Sequence, residues 1–132
     1  MVDSGLVSIQ SHTYDMHQLP EYEADPIKGV VRREGEAEMD YLARFQDDYE
    51  KEDDLIRRIT GENILAFAYP FGIYDRVSEA LLDLLGVKIT FTTEPGMNTL
   101  IQGSPISLHG LHRYAIDDSV TLDELLQLMP AL

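Results

Sequence analysis

A chain of 132 residues, 44% hydrophobic and 26% charged, fits one globular domain with a buried core and gives no reason to invoke general disorder. Ten Lys plus Arg against 24 Asp plus Glu leave a net charge of −14, which repels phosphate backbones and anionic membrane surfaces and makes nucleic acid a poor partner. Cysteine is absent, which rules out disulfides, thiolate metal sites and a thiol nucleophile, and no apolar run approaches the ~18 residues of a membrane span or the pattern of a signal peptide.

In chain order, residues 1–5 read as the last turn of an amphipathic helix closed by Gly5. A domain seldom opens on a helix end, so the expectation is the back part of a larger domain, with Met1 an internal methionine or an artificial start. Residues 6–10 alternate apolar and polar side chains and predict a strand with one face in a core. His12 and His17 then fall at the strand end or in the loop after it, where α/β sheets and barrels place their chemistry. Two neutral imidazoles within six residues can converge on one metal ion when the loop curls. Spacing alone favours the plainer reading, a strand-end imidazole and a surface one. The five-residue step excludes a pair on one helical face, and with it a helical zinc-protease motif.

Residues 18–36, with Pro20, Pro26, Gly29 and Gly35 among charged residues, show no sustained period and predict a long surface loop, either bordering a cleft or simply solvated. A helix is expected over 36–60, its apolar stripe running through Met39, Leu42, Ala43, Phe45, Gln46, Tyr49, Leu55, Ile56 and Ile59 and its end set by Gly61. The acidic residues Asp47, Asp48, Glu50, Glu52, Asp53 and Asp54 lack the glycine and ligand alternation of a calcium loop and read as a solvated face.

A second strand over 64–69 stops at Tyr69-Pro70-Phe71-Gly72, a second helix covers 74–85 with Gly86 behind it, and a third strand covers 87–92 before the turn Thr93-Glu94-Pro95-Gly96. Residues 105–112 are loop or short strand, 113–116 an edge strand, and 118–121 cap a last helix over 122–129. Such alternation implies an α/β fold with a mostly parallel sheet and covering helices, as a barrel segment or an open doubly wound sheet.

These residues resemble the polysaccharide deacetylases of carbohydrate esterase family 4, the NodB homology domain. Ser11-His12-Thr13-Tyr14-Asp15-Met16-His17 is similar to the family's second motif, with the five-residue step of the branch acting on poly-N-acetylglucosamine. Phe67-Ala68-Tyr69-Pro70-Phe71-Gly72 resembles its third motif, with Ala68 where most members carry arginine, and Leu111-His112-Arg113-Tyr114 resembles a later strand of the same branch. Leu108-His109 and Leu111-His112 both lie near the place of the last motif, and neither matches it cleanly. The first motif, an Asp-Asp pair supplying the general base and a third metal ligand, has no counterpart here and is expected before Met1.

The resemblance implies a partial (β/α) barrel spanning 1–132 as one domain, the C-terminal portion of a catalytic domain. It implies metal-dependent hydrolysis of acetyl groups on a polysaccharide, with His12 and His17 as ligands of a divalent ion, zinc first and cobalt, nickel or iron as alternatives. It further implies that the Phe71 backbone N–H stabilises the oxyanion, that Tyr69, Pro70 and Phe71 contact the sugar, and that His112 is the general acid, His109 being the other candidate. Without the Asp-Asp motif these residues alone are expected to be inactive and their metal site weak. The competing reading is a non-catalytic carbohydrate-binding or degenerate module. The parent is expected outside the cell or in its envelope, with an acetylated polysaccharide as partner and self-association through uncovered strand edges.

Overall fold

The computed structural model describes residues 4–18 and 29–128. The elements are helix α1 (Glu38–Thr60), strand β1 (Ala66–Ala68), helix α2 (Arg76–Leu84), strand β2 (Ile89–Phe91) and helix α3 (Leu122–Leu128), with short 3-10 turns at Pro70–Gly72 and Pro105–Leu108.

Acidic Glu38 and Asp40 in the first turn of α1 and basic Arg57 and Arg58 in its last both complement the helix dipole. The helix closes at Gly61, whose left-handed φ of 76° lets its N–H reach the Arg57 carbonyl at 2.8 Å. The buried face of α1 runs through Tyr41, Phe45, Asp48, Tyr49 and Ile56. This corrects the expected stripe, because Met39 and Ile59 are exposed while Tyr41 and Asp48 are buried. Helix α2 opens on a capping box: Asp75 accepts from Val77 N (3.0 Å) and Ser78 N (2.8 Å), and Ser78 Oγ accepts from Asp75 N (2.9 Å).

β1 and β2 pair in parallel with Phe67 opposite Thr90, and two parallel bridges extend the set, Ser11 with Phe67 and Leu111 with Phe91. Four chain segments thus lie side by side in the order Ser11, β1, β2, Leu111, all running the same way. The central residue of each strand, Phe67 and Thr90, is buried and its neighbours are half-buried. On the buried side Phe67 meets Phe45 (ring centroids 6.4 Å apart) and Tyr69 (5.6 Å), and Leu82, Val87, Ile64 and Met16 complete the core. This is the parallel α/β arrangement that the alternation of elements predicts.

Two expectations change. Residues 6–10 form no strand, and Leu6, Val7 and Ile9 are exposed; their alternation is real, but among the described residues no apolar layer covers them, and pairing begins at Ser11. Instead the Gln10 side-chain oxygen accepts from Leu65 N and Ala66 N, both at 2.9 Å. The 113–116 edge strand is absent, and the ladder there is the single bridge at Leu111. Most of the predicted loop, 19–28, together with residues 1–3 of the expected helix end and 129–132 beyond α3, lies outside the described residues. No helix among the described residues is long and apolar enough to cross a membrane.

Candidate metal centre

Each segment of the parallel set hands its next residues to one edge of the sheet. Ser11 N donates to Ala66 O (3.1 Å) and Ala68 N to Ser11 O (3.0 Å), which puts His12 at that edge. His12 Nδ1 lies 2.7 Å from the Ala68 carbonyl. A carbonyl can only accept, so Nδ1 carries the proton and Nε2 the lone pair of the neutral ring. That Nε2 lies 3.2 Å from His17 Nδ1, with the two rings edge to face. Burial, and then the repulsion the two rings would feel if both were protonated, lowers the pKa of His17 and favours its neutral form, the one able to bind a metal.

The loop between the histidines is held from below by α1. Glu52 accepts from Ser11 Oγ, His12 N (3.1 Å) and Thr13 N (3.1 Å), and Asp48 accepts from Tyr14 N (3.0 Å) and Asp15 N (2.7 Å). Thr13 takes a left-handed φ of 77°, unusual for a β-branched residue, and its hydroxyl accepts from Met16 N at 3.1 Å. Holding such a residue there costs about 1 to 3 kcal/mol, which the surrounding hydrogen bonds must offset. Burial raises the pKa of both carboxyls, against the backbone N–H groups that favour their charged forms. Asp48 and Glu52 therefore do not belong to a solvated acidic face. Their i, i+4 spacing on α1 was the one signal of a shared inward direction.

At the end of β1, Tyr69 N donates to Phe91 O (2.9 Å) and Gly72 N to Tyr69 O (2.9 Å), forming a tight turn. Phe71 has φ 57°, and its ring stands edge-on to His17 with centroids 4.3 Å apart. Gly72 has φ 70°, and a Cβ there would overlap Thr93 Oγ1. Tyr69 is corrected as a sugar contact: it is fully buried, its hydroxyl 3.2 Å from Glu79 Oε1 and its ring stacked on Tyr74 at 4.4 Å. Pro70 is buried too. Tyr69, still extended just past the end of β1, is two residues on from Phe67, and so both face the core.

His112 leaves the Leu111 segment at the same edge, since Leu111 N donates to Thr90 O and Thr92 N to Leu111 O, both at 2.8 Å. Its backbone is gripped by Asn98: His112 N donates to Asn98 Oδ1 and Asn98 Nδ2 to His112 O, both at 2.9 Å. The Glu94 carboxylate is 3.9 Å from His112 Nδ1. His109 precedes the bridge and, with Asp83, Lys88 and Leu108, lines a separate open cavity of about 880 Å³. The register therefore sets His112, not His109, at the edge shared with His12 and Phe71.

Among the described residues no third His, Asp or Glu joins the histidine pair to make a complete metal cage. The two nitrogens nonetheless fit one ion. Bonds of ~2.0 to 2.1 Å at a tetrahedral angle put two ligating nitrogens about 3.3 Å apart, close to the observed 3.2 Å. The carbonyl-held Nδ1–H of His12 is the usual device for presenting the opposite nitrogen to a metal.

The chain belongs to the polysaccharide deacetylase family, whose model matches residues 1–90. No curated protein matches the sequence. Among solved structures it is similar to a de-N-acetylase from Aggregatibacter actinomycetemcomitans, at 20% identity over 96% of this chain and 49% of that one with a TM-score of 0.73. A polysaccharide deacetylase from Bacillus cereus gives 24% identity over 96% and 33% with a TM-score of 0.67, and IcaB from Ammonifex degensii 20% over 96% and 48% with 0.65. The chain thus spans a third to a half of the length of these relatives, and its fold is part of their α/β deacetylase barrel.

Proposed function

We propose that the chain is the histidine-bearing portion of a metal-dependent enzyme that removes acetyl groups, N-acetyl first and O-acetyl second, from a poly-N-acetylglucosamine-like polysaccharide. The observation that carries this reading is the convergence of His12 Nε2 and His17 Nδ1, 3.2 Å apart, at the sheet edge shared with Phe71 and His112. A divalent ion held by the two imidazoles, zinc or else cobalt, nickel or iron, would polarise the acetyl carbonyl and lower the pKa of a bound water.

The chain's own groups would do the rest. The Phe71 ring braces His17, and its backbone N–H would donate to the developing oxyanion, a contact whose loss raises a barrier by ~2.7 to 4 kcal/mol. His112 would protonate the departing amine. An acetylated polysaccharide outside the cell or in its envelope is the substrate this chemistry suits.

The test is zinc retention, measured by elemental analysis after dialysis against trace zinc. His12→Ala and His17→Ala should each lose the metal that the parent protein keeps, and unchanged zinc in either would overturn the assignment. By itself the 132-residue chain, with two such ligands, should release no acetate from acetylated glucosamine oligomers in added zinc. Robust turnover would overturn that part, and glycan binding indifferent to zinc would favour a non-catalytic module.

A further inference from the structure

The five-residue step between the histidines poses a problem in backbone geometry. His12 is pinned to the end of its strand segment by the Ala68 carbonyl, so the four residues between must fold back to return His17 to it. Doing so turns the N–H groups of residues 12–15 inward, toward α1, and forces Thr13 into a left-handed conformation. Four inward backbone donors and the Ser11 hydroxyl then need acceptors. Two carboxylates one helical turn apart, about 6 Å along the axis of α1, meet that need. Glu52 takes the donors of Ser11, His12 and Thr13, and Asp48 those of Tyr14 and Asp15.

We infer that Asp48 and Glu52 are positioning residues for the histidine pair: by collecting the loop's inward donors onto α1 they fix the loop shape that brings the two ring nitrogens together. The inference rests on the reading of His12 and His17 as metal ligands. It also accounts for two acidic residues turning inward on a helix whose neighbouring acids, Asp47 and Glu50, stay at the surface and bond to Lys51 and Gln46. Neither carboxylate touches the metal position; both act on the main chain that carries the ligands. Carboxylates suit this task because each offers two acceptor oxygens, whereas Gln or Asn offers one and adds a donor where donors already crowd.

The test uses the full chain with zinc alone as the probe, and compares Glu52→Gln and Asp48→Asn with Asp47→Asn as control. Metal-free, we expect amide exchange at residues 12–15 to speed at least tenfold in the first two variants, while Phe67 and Thr90 stay within twofold. The ¹⁵N shifts of the His12 ring should move from a single Nδ1–H tautomer to a mixture, and zinc affinity should fall 10- to 100-fold. The control should match the parent in all three. Unchanged exchange and tautomer in both variants would overturn the inference, as would loosening at Phe67 and Thr90 equal to that of the loop. If Glu52→Gln does not fold, Asp48→Asn decides the matter at the Tyr14 and Asp15 amides. A His12→Ala chain that binds zinc like the parent overturns the ligand reading and the inference with it. If His12→Ala loses zinc while the carboxylate variants keep it, the positioning role alone falls.

Discussion

His12 and His112 leave the two outer segments of one parallel set at the same edge, yet they are held by different means. The chain around His12 is tied by two inward carboxylates on a 23-residue helix, itself packed into the core through Tyr41, Phe45 and Ile56. The chain around His112 is gripped by Asn98, an exposed residue on a neighbouring loop, with an exposed Glu94 close to the ring. On the proposed reading, metal ligation would need the His12 ring nitrogen held in place, which the inward tether would supply. Proton delivery by His112 would need the freedom to follow a leaving group, which a surface clamp would leave.

Truncating the two anchors should break this comparison open most clearly. Glu52→Ala strips three donors of their acceptor and should cost about 2 to 4 kcal/mol in urea unfolding, whereas Asn98→Ala, where water can replace the amide, should cost about 1 kcal/mol or less. Equal costs would mean that the two loops are anchored alike.

A subtler probe is pH. Arg44 holds Glu36 in a two-pronged ion pair at 2.7 and 2.9 Å while also reaching the Val31 carbonyl, and this lowers the Glu36 pKa to about 2. A carboxyl with a depressed folded pKa contributes stability that is fully present above its unfolded pKa of about 4.3 and lost as pH falls through the folded value. Glu36→Gln should therefore lower the urea midpoint at pH 6 and match the parent near pH 2. A gap that persists undiminished in acid would show that packing, not charge, secures this start of α1.

Smallest of all should be the effect of Leu126→Ala in α3, where Leu122, Leu125 and Leu126 are exposed to different degrees and no residue is buried. A change in unfolding free energy beyond about 0.5 kcal/mol would mean that this helix, unlike α1, rests on something it does not touch here.

Much of the fold was legible because its signals are local. The helix periods, Gly61 and the strand-stopping Pro70 and Gly72 act within a few residues of themselves, and α1, α2, β1 and β2 fall inside the predicted spans. The nearness of His12 to His17 was legible as a capacity of the loop. What enforces it was not, because Asp48 and Glu52 find their donors 33 to 41 positions away, and a carboxylate in a run of acids looks solvated until the chain brings those donors to it. The exposed segment 6–10 fails for the opposite reason. Its alternation states which side chains seek cover, not whether a covering layer is at hand. Tyr69 was misjudged by attention to the turn it opens, when its two-residue offset from Phe67 placed it in the core.

The turn at Phe71 and Gly72 carries a consequence for redesign. At position 72 any side chain would run into Thr93, so variation there is closed unless Thr93 is changed with it. At position 71 the backbone is already left-handed, so glycine or asparagine would fit it more easily than phenylalanine, but either would withdraw the ring that steadies His17. An engineer varying this turn would find these two adjacent positions unequal. One is a locked coordinate of the scaffold; the other trades backbone comfort against the aim of an imidazole, and a library that treats them alike would spend half its members on chains that cannot close the turn.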